Sequence, residues 1–322
     1  MEGRDAGSSR DRCPACAAGT LAPWRSAPAS EPALAGTRFG LLRCGSCGTA
    51  VTDGAAPAFG TAHETGAYAT TVPRLSRAAA PVLRAFDRRR LALLASVARP
   101  PGVLLDAGAG RGRFVTAARA AGWDARGIEP SARGVDAARA AYGVALERTS
   151  IEQATVAAGS LSAVSLWHVL EHVVDPDAAV ARVASWLAPG GALVAGVPNL
   201  ASVQARVGGE RWFHLDLPRH RTHFTPVGLR ALLERHGLTV CGEHHLLAEH
   251  NPFGMWQSAV NRLTRDPSYG FNLLKRNARA ASADLAVTLL ALPLVPLAAA
   301  AELAAGLARR GGTIAITARR AP

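Results

Sequence analysis

The sequence has few aromatic residues and almost no lysine. Aromatic residues make up 5% of the 322 positions, and Lys275 is the one lysine among 36 basic residues. Proteins that bind nucleic acid usually cluster basic residues on one face and place aromatic side chains between them for base stacking. Here the arginines are spread along the whole chain. The net charge of +12 therefore does not favour a nucleic-acid partner.

The N-terminus begins with charged and small residues and lacks an apolar run of signal-peptide length. We therefore expect a cytoplasmic protein. Apolar residues make up 49% of the chain and charged residues 19%. This composition predicts a globular fold and excludes a disordered chain.

Cysteine is scarce, but four of the five cysteines form two C-x-x-C pairs. The four are Cys13, Cys16, Cys44 and Cys47. Two such turns in a reducing compartment predict a tetrahedral zinc site, and four thiolates leave no open position for chemistry, so the zinc would be structural. Two disulfides or unligated thiols are the alternatives. The fifth, Cys241, lies in an apolar run, and we expect it in the core.

A glycine-rich turn follows a short apolar segment near position 105. Residues 103–105 predict a buried parallel strand that ends at Asp106, and glycines follow at positions 108, 110 and 112. Residues 123–128 predict a second strand, which carries Glu129 to its carboxyl end. A carboxylate there can accept hydrogen bonds from ribose hydroxyls. The pattern predicts a site for an adenosine-containing cofactor.

The third glycine comes one residue earlier than in the dinucleotide fingerprint. The run Gly-Ala-Gly-Arg-Gly resembles the first motif of the class I S-adenosylmethionine-dependent methyltransferases. Residues 165–176 resemble the fourth-strand motif of that superfamily, and residues 187–191 resemble the turn before its fifth strand. The resemblance implies an α/β fold with a Rossmann-like, doubly wound, seven-stranded sheet and S-adenosylmethionine as cofactor. The implied cofactor-binding residues are Asp106, Gly108, Gly110, Gly112, Glu129, Pro130, Ser150, Ile151 and Trp167.

Three polar residues, His168, Glu171 and His172, follow the predicted fourth strand at the edge where such folds bind ligands. They resemble the E-x-x-E-H pattern of the quinone-biosynthesis O-methyltransferases, whose three side chains hold a divalent cation. His168 replaces the first acid of that pattern, so we expect a general-base role here and not a magnesium site. The alternative is that Glu171 and His172 only hydrogen-bond the loop backbone.

A long segment follows the predicted fifth strand, and we call residues 198–225 the histidine loop. Within it, residues 212–220 resemble a substrate loop in a branch of methyltransferases that often carries an N-terminal zinc ribbon. A loop of this length in a compact domain is usually functional. His220 and His223 are candidate bases, while Arg219 and Arg221 are candidate ligands for an anionic acceptor.

An uncharged, apolar stretch at residues 285–301 is just long enough to span a membrane. It separates a predicted sixth strand at 238–246 from a seventh at 312–318. In the superfamily these two strands pair antiparallel, which would keep both ends of the stretch on one side of a membrane. It therefore serves as a cap over the site, as a hairpin resting on the inner face of the membrane, or as a homodimer interface.

These features divide the chain into four parts. We expect a zinc-ribbon module at 1–55, a linker and an amphipathic helix at 56–101, a cofactor domain at 102–249 and 310–322, and an apolar helical insertion at 250–309. The expected function is methyl transfer to an oxygen of a small-molecule, sugar or lipid-linked acceptor. The alternative is a non-catalytic zinc-ribbon adaptor whose methyltransferase-like domain binds the cofactor without turnover.

Overall fold

A computed structural model describes residues 12–54, 76–249, 251–275 and 283–322. The predicted linker lies outside these residues from position 55 to position 75. The described chain contains a four-stranded and a six-stranded sheet.

The smaller sheet forms the N-terminal module. Its strands β1 (Leu21–Pro28), β2 (Arg38–Cys44) and β3 (Ala50–Thr52) are antiparallel, and a 3₁₀ turn (Pro32–Leu34) lies between the first two. A short strand from the histidine loop, β8 (Thr222–His223), adds to the edge of β3. The zinc-ribbon module and the histidine loop therefore share one sheet.

The larger sheet forms the cofactor domain. Its strands are β4 (Val103–Ala107), β5 (Asp124–Ile128), β6 (Leu161–Trp167), β7 (Leu187–Pro198), β9 (Leu238–His244) and β10 (Thr313–Arg320). Their order is β5-β4-β6-β7-β10-β9, and β10 runs antiparallel to both of its neighbours. Leu104 and Leu105 of β4 are both buried, as expected for a central strand covered on both faces. The Rossmann-like fold is confirmed.

The described part of this sheet has six strands, so the prediction of seven was wrong in number. The position of the missing strand, next to β5, is occupied by a single parallel bridge between Ile128 and Glu147. The chain then turns back, since the N–H of Thr149 donates to the carbonyl oxygen of Glu147 at 3.0 Å. One bridge is too short to continue the sheet.

The helices of the described chain are α1 (Ser76–Ala95), α2 (Arg113–Ala120), α3 (Ala132–Tyr142), α4 (Pro176–Trp186), α5 (Val203–Gly208), α6 (Pro226–Arg235), α7 (Asn251–Val260), α8 (Tyr269–Leu274), α9 (Ala283–Leu290) and α10 (Val295–Leu307). Their ends follow local sequence signals. The carboxylate of Asp175 accepts hydrogen bonds from the N–H groups of Asp177 and Ala178 and so caps α4, with Pro176 as its first residue.

Helix α1 packs on the cofactor domain through its C-terminal half. Leu93 and Leu94 are buried, and Leu94 belongs to the same apolar cluster as Leu104 of β4. Val82, near the start of the same helix, is 53% exposed, because the sheet contacts lie near the other end of the helix. Cys241 was expected in the core and is exposed, because β9 is the edge strand of its sheet.

The insertion lies between β9 and β10, as predicted. Its last part, residues 283–307, consists of α9, a 3₁₀ turn (Leu292–Leu294) and α10, which continue as one helical segment of 25 residues, so the suggested hairpin was wrong in shape because the backbone stays helical through Ala291, Leu294 and Val295. We call residues 283–307 the apolar hairpin as a label only. It is long and apolar enough to cross a membrane by length and composition. Because the flanking strands β9 and β10 pair directly, both ends of the insertion lie on the same side of any membrane.

Candidate functional site

The glycine loop between β4 and α2 is built around three left-handed residues. The φ angles of Gly108, Gly110 and Gly112 are 78°, 55° and 72°. A Cβ atom on Gly108 would also lie 2.4 Å from Cγ2 of Val169, so position 108 excludes any side chain by space as well as by conformation. The loop therefore brings bare backbone to the carboxyl edge of the sheet.

Glu129, at the end of β5, closes this loop. Its Oε2 accepts a hydrogen bond from the N–H of Gly110 and its Oε1 accepts one from the N–H of Ser131, both at 2.9 Å. Burial raises the pKa of Glu129, while these two N–H donors lower it. Gly134 was not among the predicted site residues; it lets α3 approach Glu129, since a Cβ atom at position 134 would lie 2.8 Å from Cγ of Glu129.

Asp106 is the next-to-last residue of β4, and its side chain is buried. Ser165 of β6 donates its hydroxyl to Oδ1 of Asp106 at 2.6 Å. Burial raises the pKa of Asp106 to about 6, and the Ser165 hydrogen bond opposes that rise. Ser165 was not among the predicted site residues, because only the sheet register brings it beside Asp106.

A cavity of about 200 Å³ opens beside the glycine loop, and we call it the cofactor cavity. The predicted cofactor residues that line it are Gly108, Glu129, Pro130, Ser150 and Ile151. His168 and His172 complete its wall on the β6 side. The predicted cofactor residue Trp167 instead lines a second cavity of about 220 Å³.

His168 and Glu171 form a hydrogen-bonded pair between the two cavities. Nδ1 of His168 donates to Oε1 of Glu171 at 3.0 Å. His168 has a φ of 56°, which is rare outside glycine and concentrates at functional sites. The Glu171 carboxylate is buried, and its Oε2 has no hydrogen-bond partner among the described residues. His168 lines both cavities.

A family model described as "Methyltransferase domain" matches residues 77–242. This span is more than half of the chain and includes the glycine loop, Glu129 and the pair of His168 and Glu171. The chain belongs to this methyltransferase family. The resemblance to the class I S-adenosylmethionine-dependent methyltransferases is thereby confirmed, and S-adenosylmethionine is the cofactor of that superfamily. No curated protein matches the sequence.

Solved structures align with the methyltransferase at low identity. The [4+2]-cyclase SpnF is 17% identical, with 73% of this chain and 80% of that chain covered and a TM-score of 0.49. An S-adenosylmethionine-dependent methyltransferase from Mesorhizobium loti is 18% identical, with 71% of this chain and 96% of that chain covered and a TM-score of 0.46. The 1,6-didemethyltoxoflavin-N1-methyltransferase from Burkholderia thailandensis is 16% identical, with 74% of this chain and 78% of that chain covered and a TM-score of 0.42.

The four cysteines of the N-terminal module come together as predicted. Cys13 lies 3.6 Å from Cys47, and Cys16 lies 3.6 Å from Cys44, between sulfur atoms. All four sulfur atoms lie within 4.8 Å of one another as free thiols. A tetrahedral zinc with ligands at about 2.3 Å places its sulfurs about 3.8 Å apart, so this cluster fits a structural zinc. The hydrogen bond between the two thiols lowers the pKa of Cys47 to about 4 and raises the pKa of Cys13 above its ordinary value, so Cys47 is the thiol of this pair that ionises first.

The zinc-ribbon module holds the histidine loop in place. Thr52 donates its hydroxyl to the carbonyl oxygen of His220 at 2.8 Å, and its Oγ1 lies 3.0 Å from Nε2 of His223. Arg219 forms ion pairs with Glu31 of the module and with Asp216 of the loop. The sequence suggested Arg219 as a ligand for an anionic acceptor, and the structure places it between two carboxylates of the chain itself.

The histidines of this region differ in their surroundings. His172 lines the cofactor cavity and donates from Nδ1 to the carbonyl oxygen of Arg219 at 3.2 Å. His220 lies behind it, with ring centroids 4.6 Å apart, and donates from Nδ1 to the carbonyl oxygen of His214. Burial lowers the pKa of His220 well below its ordinary value and that of His223 to about 4. Both rings are therefore neutral at physiological pH.

Glu171, His172 and His220 also bring one potential metal-ligand atom each to within 4.8 Å of the others.

Arg221, the other candidate for binding an anionic acceptor, lines a large groove of about 590 Å³ between the zinc-ribbon module and the start of α4. The glycine loop takes no part in that groove, so we assign the groove no role in methyl transfer.

The second cavity combines apolar walls with polar groups. Phe86, Trp167, Leu246 and Leu247 supply apolar surface, while Arg89, Arg90, Glu249, Asn251 and Thr313 supply polar groups. Arg90 pairs with Glu249 at 2.7 Å and lies over the Trp167 ring, 4.6 Å from its centroid. Arg113, the first residue of α2, also pairs with Glu249 at 2.7 Å. This ion-pair network ties α1 and the start of α2 to the segment after β9 at the second cavity, and its residues were not among the predicted site residues.

Proposed function

We propose that the protein transfers a methyl group from S-adenosylmethionine to an oxygen atom of a small-molecule, sugar or lipid-linked acceptor in the second cavity. The observation that carries this proposal is the position of His168, which lines both the cofactor cavity and the second cavity. An acceptor in the second cavity would meet the donor beside this imidazole.

For methyl transfer to oxygen, the protein has to align the acceptor oxygen with the methyl group and remove the hydroxyl proton. The sulfonium is already activated, so the acceptor oxygen attacks the methyl carbon, the carbon–sulfur bond breaks and S-adenosylhomocysteine leaves. The hydroxyl proton needs a base. With Nδ1 of His168 donating to Glu171, Nε2 is the ring nitrogen that accepts this proton, and the carboxylate stabilises the imidazolium formed.

The cofactor would lie along the glycine loop. We assign the ribose hydroxyls to Glu129 and the α-ammonium group to the region of Asp106, with Pro130, Ser150 and Ile151 around the adenine. His172 borders the same cavity and is the second candidate base. His220 and His223 sit behind it and, in this proposal, position the loop.

The test measures methyl transfer and cofactor binding separately. Protein and S-adenosylmethionine with a labelled methyl group are incubated with a cell extract, and label is followed into acceptors. His168→Gln and Glu171→Gln should reduce label transfer at least a hundredfold. The cofactor affinity, measured by calorimetry, should change far less, because Glu129 and the glycine loop stay in place and, of the two substituted side chains, only His168 borders the cofactor cavity. His236→Gln, which alters a histidine paired with Asp177 away from both cavities, is the control.

A non-catalytic adaptor would give the opposite result. It would bind S-adenosylmethionine tightly and transfer no label in any extract. Absence of cofactor binding would overturn both functions. We also propose that the enzyme works in the cytoplasm, peripherally at the inner face of the membrane, with the apolar hairpin as the contact.

A further inference from the structure

The apolar hairpin exposes more large apolar side chains than any other part of the described chain. Leu290 is 81% exposed and Leu297 is 67% exposed. The others are Leu289, Leu292, Leu294, Val295, Leu303 and Leu307. A contiguous apolar surface of this size marks a binding surface, because leaving it in water is costly.

Three of these side chains share one side of α10. At about 100° per residue, Leu297, Leu303 and Leu307 fall within about 120° of the helix circumference, whereas Glu302 and Gly306 are buried on the other side. The helix has 13 residues and is about 20 Å long. An uncharged face of that length suits a helix lying flat at a bilayer interface.

Cationic side chains border this face, which favours an anionic bilayer as its occupant. Arg309 and Arg310 follow α10 and are exposed; Arg309 lies 3.4 Å from Glu243 and Arg310 makes no ion pair within the described ranges, and the chain as a whole carries a net charge of +12. Arginine side chains at the end of an interfacial helix reach the phosphates of anionic lipids. The surface of a second, equally basic copy would repel these groups.

The hairpin adjoins the second cavity through Leu246. This side chain packs against Gly306 of α10, where a Cβ atom would lie 2.7 Å from its Cδ2. Leu246 is 39% exposed and also lines the second cavity. An apolar path therefore leads from the hairpin to the cavity beside His168.

The second cavity has polar groups suited to a hydroxyl-bearing, anionic head group. Trp167 Nε1, Asn251 Oδ1 and Thr313 Oγ1 are buried and have no hydrogen-bond partner in the part of the chain that the structure describes. A bound ligand can supply such missing partners. Arg89 lies exposed on the same cavity and makes no ion pair within the described ranges, in contrast to Arg90.

We propose that the apolar hairpin docks on an anionic bilayer and that the second cavity receives the anionic, hydroxyl-bearing head group of a lipid-linked acceptor, with Arg89 binding its anionic group. The proposal that the hairpin docks on a bilayer depends only on its exposed apolar surface. The choice of acceptor rests on the proposed methyl transfer.

Vesicle flotation of the full chain tests the docking. The protein should float with vesicles of phosphatidylcholine and phosphatidylglycerol, and less with phosphatidylcholine alone. Leu290→Asp combined with Leu297→Asp should abolish flotation, whereas Leu263→Asp, at a leucine 71% exposed outside the hairpin, should not. Thermal unfolding checks that each variant folds. Equal flotation of the double variant, or a dimer in gel filtration that only the double variant dissociates, would overturn the proposal.

Partition of the methyl label tests the acceptor. After incubation with membranes, label should enter the fraction extracted by organic solvent, and Arg89→Gln should slow this labelling about tenfold or more without changing cofactor affinity. Arg88→Gln, at the exposed neighbour outside the cavity, should have no effect. Label confined to water-soluble products would overturn the lipid-linked acceptor and leave methyl transfer intact. Cofactor binding without label in either fraction would instead overturn the methyl transfer itself.

Discussion

The hydroxyl of Thr225 donates a hydrogen bond of 2.6 Å to the carbonyl oxygen of Cys47. Thr225 ends the histidine loop and caps α6, and Cys47 belongs to the second C-x-x-C turn. Together with the pairing of β3 and β8, this bond makes the zinc-ribbon module a clamp on the loop that packs behind His172. The metal would thus act on the active site by positioning, without touching a substrate.

Loss of zinc should therefore loosen the histidine loop while sparing the glycine loop, which lies in the other sheet. We expect one zinc per chain in the purified protein. Removing it by Cys44→Ser combined with Cys47→Ser should raise amide hydrogen exchange at residues 220–225 and lower turnover by about tenfold to a hundredfold through misplacement. Cofactor affinity should stay the same. Cys241→Ser, at the exposed fifth cysteine, is the control. If the metal-free protein showed unchanged amide hydrogen exchange at residues 220–225, the zinc-ribbon module would not be holding the histidine loop in place.

Glu129→Ala should weaken cofactor binding about tenfold or more, because hydrogen bonds to a charged group each contribute about 1.5–3 kcal/mol. Calorimetry measures the affinity. The matched control is Asp124→Ala, which removes an exposed carboxylate from the opposite end of the same strand. If Glu129 only braced the loop backbone, its loss would lower the unfolding temperature and leave the cofactor affinity unchanged.

Asp106 should make the stability of the protein depend on pH. Burial raises the pKa of Asp106 to about 6 from its ordinary 3.8, so the folded protein keeps a proton that the unfolded chain releases between these values. Stability should therefore fall as the pH rises through this window, by about 3 kcal/mol at most. Urea unfolding across the window measures the slope, and Asp106→Asn should flatten it.

The same carboxylate should respond to the cofactor. At neutral pH the ionised Asp106 is buried at a cost, which the α-ammonium group of S-adenosylmethionine would offset. We expect the cofactor to stabilise the wild type more than Asp106→Asn in thermal unfolding. Equal stabilisation of the two proteins would remove Asp106 from the cofactor site.

The sequence predicted the parts of the site that depend on local pattern. The glycines, Asp106 and Glu129 lie within 24 positions, and their spacing fixes a strand, a turn and a second strand. Arg219 shows what spacing cannot tell. Its partner Glu31 is 188 positions away, so only the folded chain reveals that an apparent substrate ligand is paired internally. The strand that would have completed a seven-stranded sheet beside β5 is missing for a similar reason, because a single backbone turn at Thr149 ends the pairing after one bridge.

The candidate histidines look equivalent in the sequence, and their surroundings separate them. His223 lies in β8, buried against Thr52, and lines neither the cofactor cavity nor the second cavity. We therefore expect His223→Gln to change the single-turnover rate by only a few-fold and to lower the unfolding temperature, because it weakens the contact with β3. His168→Gln should instead lower the single-turnover rate by about a hundredfold or more and leave the unfolding temperature nearly unchanged. If His223→Gln lost as much rate as His168→Gln at full cofactor occupancy, the base would have to be sought in the histidine loop. The pair of His168 and Glu171 would then only shape the wall between the two cavities.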